Sequence, residues 1–295
     1  MEDRSVASTP IAGELEALRR EVLAHCYRLA GSLNDAEDIV QETYLRAWQG
    51  IERFPNRESL RNWLLQLATN VSVKVLKDAP ERVSPLSSVS REPDEGAYLL
   101  DPLPNAVVWG WDLESSELDA VAKESLALPL VAAMQSVAID IRAAWILTRI
   151  LNWPQDTVSN TLDLSPEKLA EKLATIPAKL ERIRSELPTY VVDENVRSQL
   201  ATAYSNVFTE DDSSSVAADF ATNLAVEKPA GAFRAMSATA NGVHPVVALY
   251  RAGETGYDAY QLHQLTLQHD SIIDVTVWNS PDLFTVFGLP AHVNQ

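Results

Sequence analysis

From about Glu14 to Lys77, apolar residues recur at three- and four-residue spacing, the period of helices that bury one face. Within that run, Asp35-Ala36-Glu37-Asp38-Ile39-Val40-Gln41-Glu42-Thr43-Tyr44-Leu45-Arg46-Ala47-Trp48 predicts a helix with two unlike sides. Asp35, Glu37, Asp38, Gln41 and Glu42 are expected on its polar side, and Ile39, Val40, Leu45 and Trp48 on its apolar side. Gly31-Ser32 just before it has the pattern of a helix exit followed by a new cap. A second helical block is predicted from about Leu118 to Leu187, with stripes through Leu126, Leu130, Val131 and Met134, then Ala143, Trp145, Ile146 and Ile150. After about Thr189 the pattern changes to alternation. Pro245 to Arg251, Tyr257 to Gln268 and Ile272 to Trp278, with turn residues between them, predict an antiparallel meander of about three strands.

The segment from Asp78 to about Ser116 separates the two helical blocks. It holds Pro80, Pro85, Pro93, Pro102 and Pro104, which lack amide donors and break helices, so an extended, surface-draped linker is expected. Val107-Val108-Trp109-Gly110-Trp111 inside it predicts an anchor packed on a neighbouring domain. The expected order is a flexible tail over 1–13, a helical domain over 14–78, the linker over 79–116, a second helical domain over 117–187, and an α+β domain over 188–295.

Composition narrows the class. The 46% hydrophobic content suits globular domains, no window approaches a membrane span, and the start of the chain lacks a signal-peptide pattern, so a cytoplasmic location is expected. Cys26 is the single cysteine, which excludes an internal disulfide and reads as a small core residue. Net charge is −17, of which residues 79–125 carry −7 and residues 188–295 carry −8. DNA-gripping proteins usually present a basic face, so the charge gives no support to strong DNA binding. No Cys/His metal spacing and no glycine-rich phosphate loop occurs, so neither a metal nor a cofactor is expected.

The most informative chemistry is the acidic helix, which fits a basic protein surface better than a metal or substrate. Farther along, Asn152-Trp153-Pro154-Gln155 leads into a short helix, and Ser165-Pro166-Glu167 reads as cap, first-turn proline and favourable acid for another. Helix, tight turn and capped helix form the helix-turn-helix pattern. Pro177 should break the second helix, since a proline forced into a straight helix costs about 3 kcal/mol.

These residues carry a resemblance. The acidic "DAEDIVQETYLRAW" helix, the "SLRNWL" turn and the "LATNV" helix, in that order, resemble domain two of extracytoplasmic-function (ECF) sigma factors, the small bacterial transcription initiation subunits. The later helical block resembles domain four of the same family. Residues 240–291, entered by Ala240-Asn241-Gly242, resemble the SnoaL-like α+β domain that one sigma subgroup carries. The resemblance implies that Asp35, Glu37, Asp38, Gln41, Glu42 and Arg46 meet the clamp helices of core RNA polymerase. It implies promoter DNA contacts for Arg57, Arg61, Asn62, Trp63, Asn70, Lys74, Lys77, Lys168 and Lys172. The DNA-reading parts depart from the family: Thr175 and Pro177 stand where relatives carry arginines, and Glu167 and Glu171 put acid on the phosphate-facing side. Weakened promoter recognition is therefore expected. SnoaL-like domains can bind small molecules, and Tyr260, His263 and Asp274, with His244, are the candidates for a ligand pocket. No catalytic residue is assigned; the expectation is a regulatory domain, the alternative a repurposed chain acting as a small-molecule enzyme or protein scaffold without promoter binding.

Overall fold

The computed structural model describes residues 8–50, 56–83, 98–109, 125–186, 192–209, 229–242 and 244–294. Three long helices open the chain: α1 (Ser8–Ala30), α2 (Leu33–Gly50) and α3 (Arg57–Leu76). Helix α1 starts at Ser8, inside the stretch expected to be a tail. Its end is set by Gly31, whose backbone lies at φ +67°, and a Cβ there would stand 2.5 Å from Leu100 Cδ2. Ser32 Oγ then accepts from the Asp35 amide at 3.3 Å and caps α2, as the sequence pattern predicts. Asn56 caps α3 by accepting from the Ser59 amide at 2.8 Å.

Helix α2 buries Ala36, Ile39, Val40, Thr43 and Ala47 against α1 and α3. Leu45 and Trp48 do not join them; they are 64% and 51% exposed. The reason is helix geometry. Leu45 stands seven residues from Asp38, nearly two full turns, and so shares its side rather than that of Ile39 and Val40.

The linker is not draped on the surface where it is described. Short strands β1 (Arg82–Val83) and β2 (Tyr98–Leu99) pair in parallel, and α4 (Asn105–Trp109) follows. Leu100, Leu103 and Val108 are buried in the same core as the helices, whereas the Trp109 side chain, Gly110 and Trp111 lie outside the described residues.

The second helical block comprises α5 (Leu128–Gln135), α6 (Ile139–Trp145) with a π-helical extension (Ile146–Ile150), α7 (Gln155–Leu162), α8 (Pro166–Ala174) and α9 (Ala178–Glu186). Asp163 at φ 51° turns the chain between α7 and α8, and Ser165 caps α8. Pro177 separates α8 from α9, the break its missing amide requires.

The last part places α10 (Glu194–Thr209) on a sheet of β3 (Phe233–Ala240), β4 (His244–Ala252), β5 (Gly256–Gln268) and β6 (Ser271–Trp278), antiparallel and in that order. Helix α11 (Leu283–Val286) and β7 (His292–Asn294), which pairs with β5, close the chain. One sheet face receives Tyr204 and Phe208 of α10 on Val247, Leu249 and Leu265. The other presents Ala248, Tyr250, Leu262 and Trp278 to the core that also holds α1 and α5. Helices thus cover both faces.

The β3–β4 turn fastens these parts together. Asn241, fully buried at φ 50°, accepts from the Leu103 amide at 3.1 Å through Oδ1 and donates through Nδ2 to Tyr27 Oη and the Leu126 carbonyl, each at 2.9 Å. Its own amide donates to the Leu103 carbonyl at 2.8 Å. Asn105 and Gly242 exchange two further bonds, at 3.0 and 3.1 Å. Asn241→Ala would strand buried donors and acceptors, so we expect a loss of about 3 kcal/mol of unfolding free energy. Urea denaturation of both proteins measures it.

Candidate functional site

Helix α2 presents its polar residues in three states. Asp35 bonds Arg82 of the linker at 2.5 Å, and that arginine is 18% exposed and also donates to the Leu99 carbonyl. Glu37 pairs with Arg19 of α1 at 2.5 Å. Glu42 and Arg46 pair with each other at 2.7 Å, one helical turn apart. Asp38 and Gln41 stand exposed, with Leu45 and Trp48 beside them. A half-exposed i,i+4 pair contributes roughly 0.3–0.5 kcal/mol, so a partner can take Glu42 or Arg46 at little cost. The face that can meet another macromolecule is therefore Asp38, Gln41, Glu42, Leu45, Arg46 and Trp48, with Asp35 and Glu37 engaged inside the chain.

Helix α3 sorts its candidates by angle. Trp63, Asn70, Lys74 and Lys77 share one side at seven-, four- and three-residue spacing. Asn70, Lys74 and Lys77 are exposed, and Trp63 is half-buried against the core. Asn62 is half-buried and accepts from Arg61 at 3.3 Å. Arg61 lies nearly opposite Trp63 and bonds Glu21 of α1. The Arg57 side chain lies outside the described residues.

The two lysines of α8 do not form a basic patch. Lys172 bonds Asp140 of α6, and Lys168 is exposed beside Glu167 and Glu171. Glu167, exposed at the helix start, is held below the usual carboxylate range by backbone and Ser165 hydrogen bonds. The Asp140 carboxyl is also lowered: burial opposes this, and the Lys172 and backbone bonds outweigh it.

The candidate ligand pocket is not assembled. His263 and Tyr260 belong to the α10 side of the sheet. His263 Nδ1 lies 2.7 Å from Tyr204 Oη, its Nε2 is 3.1 Å from Gln261 Oε1, and Phe208 meets the ring edge-on. Tyr260 packs on Phe233, with the Arg251 guanidinium over its ring. Asp274 pairs in register with Thr266 on the opposite face and lines a separate cleft of about 340 Å³ with Lys179, Thr266 and Thr276. Period-two alternation puts these groups on different faces, which corrects their expected convergence. Burial pushes His263 down to about 3, and burial with Arg197 nearby pushes His244 down to about 4. Cys26 is buried and its thiol is raised to about 12.

One contact that joins the helical blocks left no mark in the sequence. Arg142 of α6 donates to the Leu29 carbonyl in the last turn of α1, to Gln135 Oε1 at 2.5 Å, and to the Gln135 and Val137 carbonyls at 3.0 and 2.9 Å. A cation there meets the negative end of α1.

Among the described residues no group of His, Cys, Asp and Glu is placed to hold a metal, and no helix is long and apolar enough to cross a membrane.

The crystal structure of Mycobacterium tuberculosis extracytoplasmic function sigma factor SigJ shares the fold, with a TM-score of 0.53 at 20% identity over 95% of this chain and 99% of that one. Residues 15–80 match the Sigma-70 region 2 family. Across 93% of its length the chain is 30% identical to 82% of the ECF RNA polymerase sigma factor SigG of Mycobacterium tuberculosis. It is 31% identical to SigJ of that organism over 55% of this chain and 47% of the relative. The chain belongs to the ECF RNA polymerase sigma factors, transcription initiation proteins, with a SnoaL-like domain behind its helical part.

The buried histidines set an acid limit on stability. His25, His244 and His263 have folded-state pKa values pushed down to about 3, 4 and 3, mainly by burial. A depressed value means the unfolded chain binds the proton first, so their contribution is present above about pH 6.5 and is lost as pH falls toward those values. Urea midpoints should be level from pH 8 to 7 and fall below 6.5. His263→Gln should fall less steeply than wild type, by about one proton's slope.

Proposed function

We propose that this sigma factor binds core RNA polymerase through the α2 face of Asp38, Gln41, Glu42, Leu45, Arg46 and Trp48, with weakened promoter recognition of its own. The observation that carries the reading is the exposure of Leu45 and Trp48 in the midst of Asp38, Gln41 and Glu42. A large aromatic surrounded by acid matches a basic, partly apolar partner such as the polymerase clamp helices: the ring supplies burial and the carboxylates steer encounter. Asp35 and Glu37 instead hold the docking helix to the linker and to α1.

Weak promoter reading is supported by what the cations already hold. Lys172 is tied to Asp140, Arg61 to Glu21, and Lys168 stands between acids. Asn70, Lys74 and Lys77 form the stripe that remains for a nucleic-acid backbone, with Trp63 at its end and Asn62 to one side. The SnoaL-like domain, over about 188–295, acts as a regulator by fixing the distance between the helical domains at 14–78 and 117–187. The Asn241 turn supports this role, since it bonds α1, the linker and the start of the second block at once. The placement of Asp274 and His263 on opposite faces of the sheet supports the regulatory reading over a small-molecule enzyme.

Capture by immobilised core RNA polymerase tests the docking face. Asp38→Arg/Glu42→Arg is expected to lower capture by tenfold or more, and Trp48→Ser to lower it by about as much, given that interface aromatics contribute 2 kcal/mol or more. Asp35→Asn should lose stability rather than capture. Undiminished capture by both α2 variants would overturn the reading. Run-off transcription from promoter libraries then reports how much sequence preference survives.

A further inference from the structure

A cleft of about 720 Å³ runs between the C-terminal end of α3 and the turn that joins α5 to α6, with the linker along one side. It belongs neither to the α2 face nor to the sheet. Its inner wall holds the Arg142 guanidinium, more than nine-tenths buried, and every acceptor bonded to it is neutral: three backbone carbonyls and the Gln135 amide oxygen. A buried cation with no carboxylate bonded to it bears a desolvation cost that neutral acceptors offset only in part; burial lowers its pKa to about 10, against the opposing pull of the Glu81 charge.

The other charges of the cleft are largely spent. Asp35 bonds Arg82, and Asp140 bonds Lys172. Because Lys172, from outside the lining, takes Asp140, the cleft is left with Arg142 and the exposed Lys77 against Glu81, an excess of one positive charge. The rest of the lining is apolar: Leu76, Val137 and Ile139 below, with Val75 and Tyr98 at the rim. Both rim side chains are more than half exposed. Large apolar groups left in water beside a buried cation whose bonded acceptors are all neutral define a site for a molecule with a greasy body and an acidic head.

We propose that this cleft binds a lipophilic organic anion, its carboxylate at Arg142 and Lys77 and its apolar body against Val137, Ile139 and Tyr98. A carboxylate accepting from a guanidinium forms bonds roughly twice as strong as a neutral carbonyl does, which favours exchange of the Gln135 amide for the ligand. The volume lies in the range of small-molecule sites, about 300–1,000 Å³. The site is independent of polymerase docking, and its test involves no polymerase.

Isothermal titration calorimetry of the full chain with sodium decanoate reads the site directly, with decyltrimethylammonium as the cation of the same tail. Saturable one-to-one binding of decanoate is expected, without binding of the ammonium. Lys77→Ala, an exposed change that leaves the fold intact, should weaken decanoate about tenfold, the loss of one charge-assisted bond. Arg142→Gln should abolish binding; should that variant fail to unfold cooperatively, Tyr98→Ala replaces it, with an expected loss of about three- to tenfold. Lys179→Ala, in the neighbouring cleft, should bind as wild type. Absence of saturable decanoate binding, equal binding of the ammonium, or an unchanged affinity in Lys77→Ala overturns the proposal.

Discussion

One buried side chain organises this molecule. Asn241 sits at the tip of the β3–β4 hairpin, yet it bonds to α1, to the linker at Leu103 and to the carbonyl of Leu126 before the second helical block. Tyr27 Oη, which accepts one of these bonds, donates its own to the Asp101 carbonyl at 2.7 Å. The Asp101 carboxylate accepts from the Leu33 amide and so supports the start of α2. Each group is buried or nearly so, and a polar group stranded there costs more than the bond it loses gains. The helical blocks and the sheet are therefore not independent beads on a linker. They share one core, and the described part of the linker enters it, with Leu100 and Leu103 buried and the Trp278 indole donating to the Leu100 carbonyl at 2.8 Å.

That shared core explains why the α2 face looks as it does. The apolar sides of α1 and α3 and both faces of the sheet find partners within the chain. Among the described residues, the most exposed large apolar side chain is Leu45, with Trp48 one turn away on the same helix. A monomer gains nothing by leaving a tryptophan half in water, so the residue's use lies outside the chain. The acids around it divide by cost. Glu42 and Arg46 hold one another on the surface and separate easily. Arg82 is mostly buried and serves both Asp35 and the Leu99 carbonyl, so pulling Asp35 away would leave a buried guanidinium half-satisfied.

How much of this was legible in the sequence depended on whether a feature is local. Helix periods, the Ser32 and Ser165 caps, the break at Pro177 and the alternation of β4, β5 and β6 are local and could be read. Leu45 and Trp48 were misplaced because their spacing counts well from Gln41, on the wet side, as well as from the buried residues; angle decides, not spacing alone. Strand β3, Phe233–Ala240, gave little signal because its small residues hardly alternate in hydrophobicity. The separation of Asp274 from His263 depends on strand register: Asp274 pairs with Thr266, three residues along β5 from His263 and so on the opposite face, and nothing local in the sequence states that pairing. Arg142 and Asn241 act through backbone carbonyls of distant segments, and a carbonyl carries no side-chain signature.

The balance between polymerase and DNA follows from the same local accounting rather than from net charge. The chain carries −17, with the surplus in the linker and the sheet domain. At physiological ionic strength charges are screened beyond about 8 Å, so distant acid weighs little on a phosphate approaching α3 or α8. What counts is the occupation of each cation within that range. Lys172 and Arg61 already have carboxylates, and releasing either would first cost its own ion pair, partly shielded from water. Phosphate binding gains mainly through counterions released by free cations, and a cation already neutralised by its own protein releases none. Lys74 and Lys77 keep that capacity; the α8 helix has given Lys172 to its fold and holds Lys168 between Glu167 and Glu171.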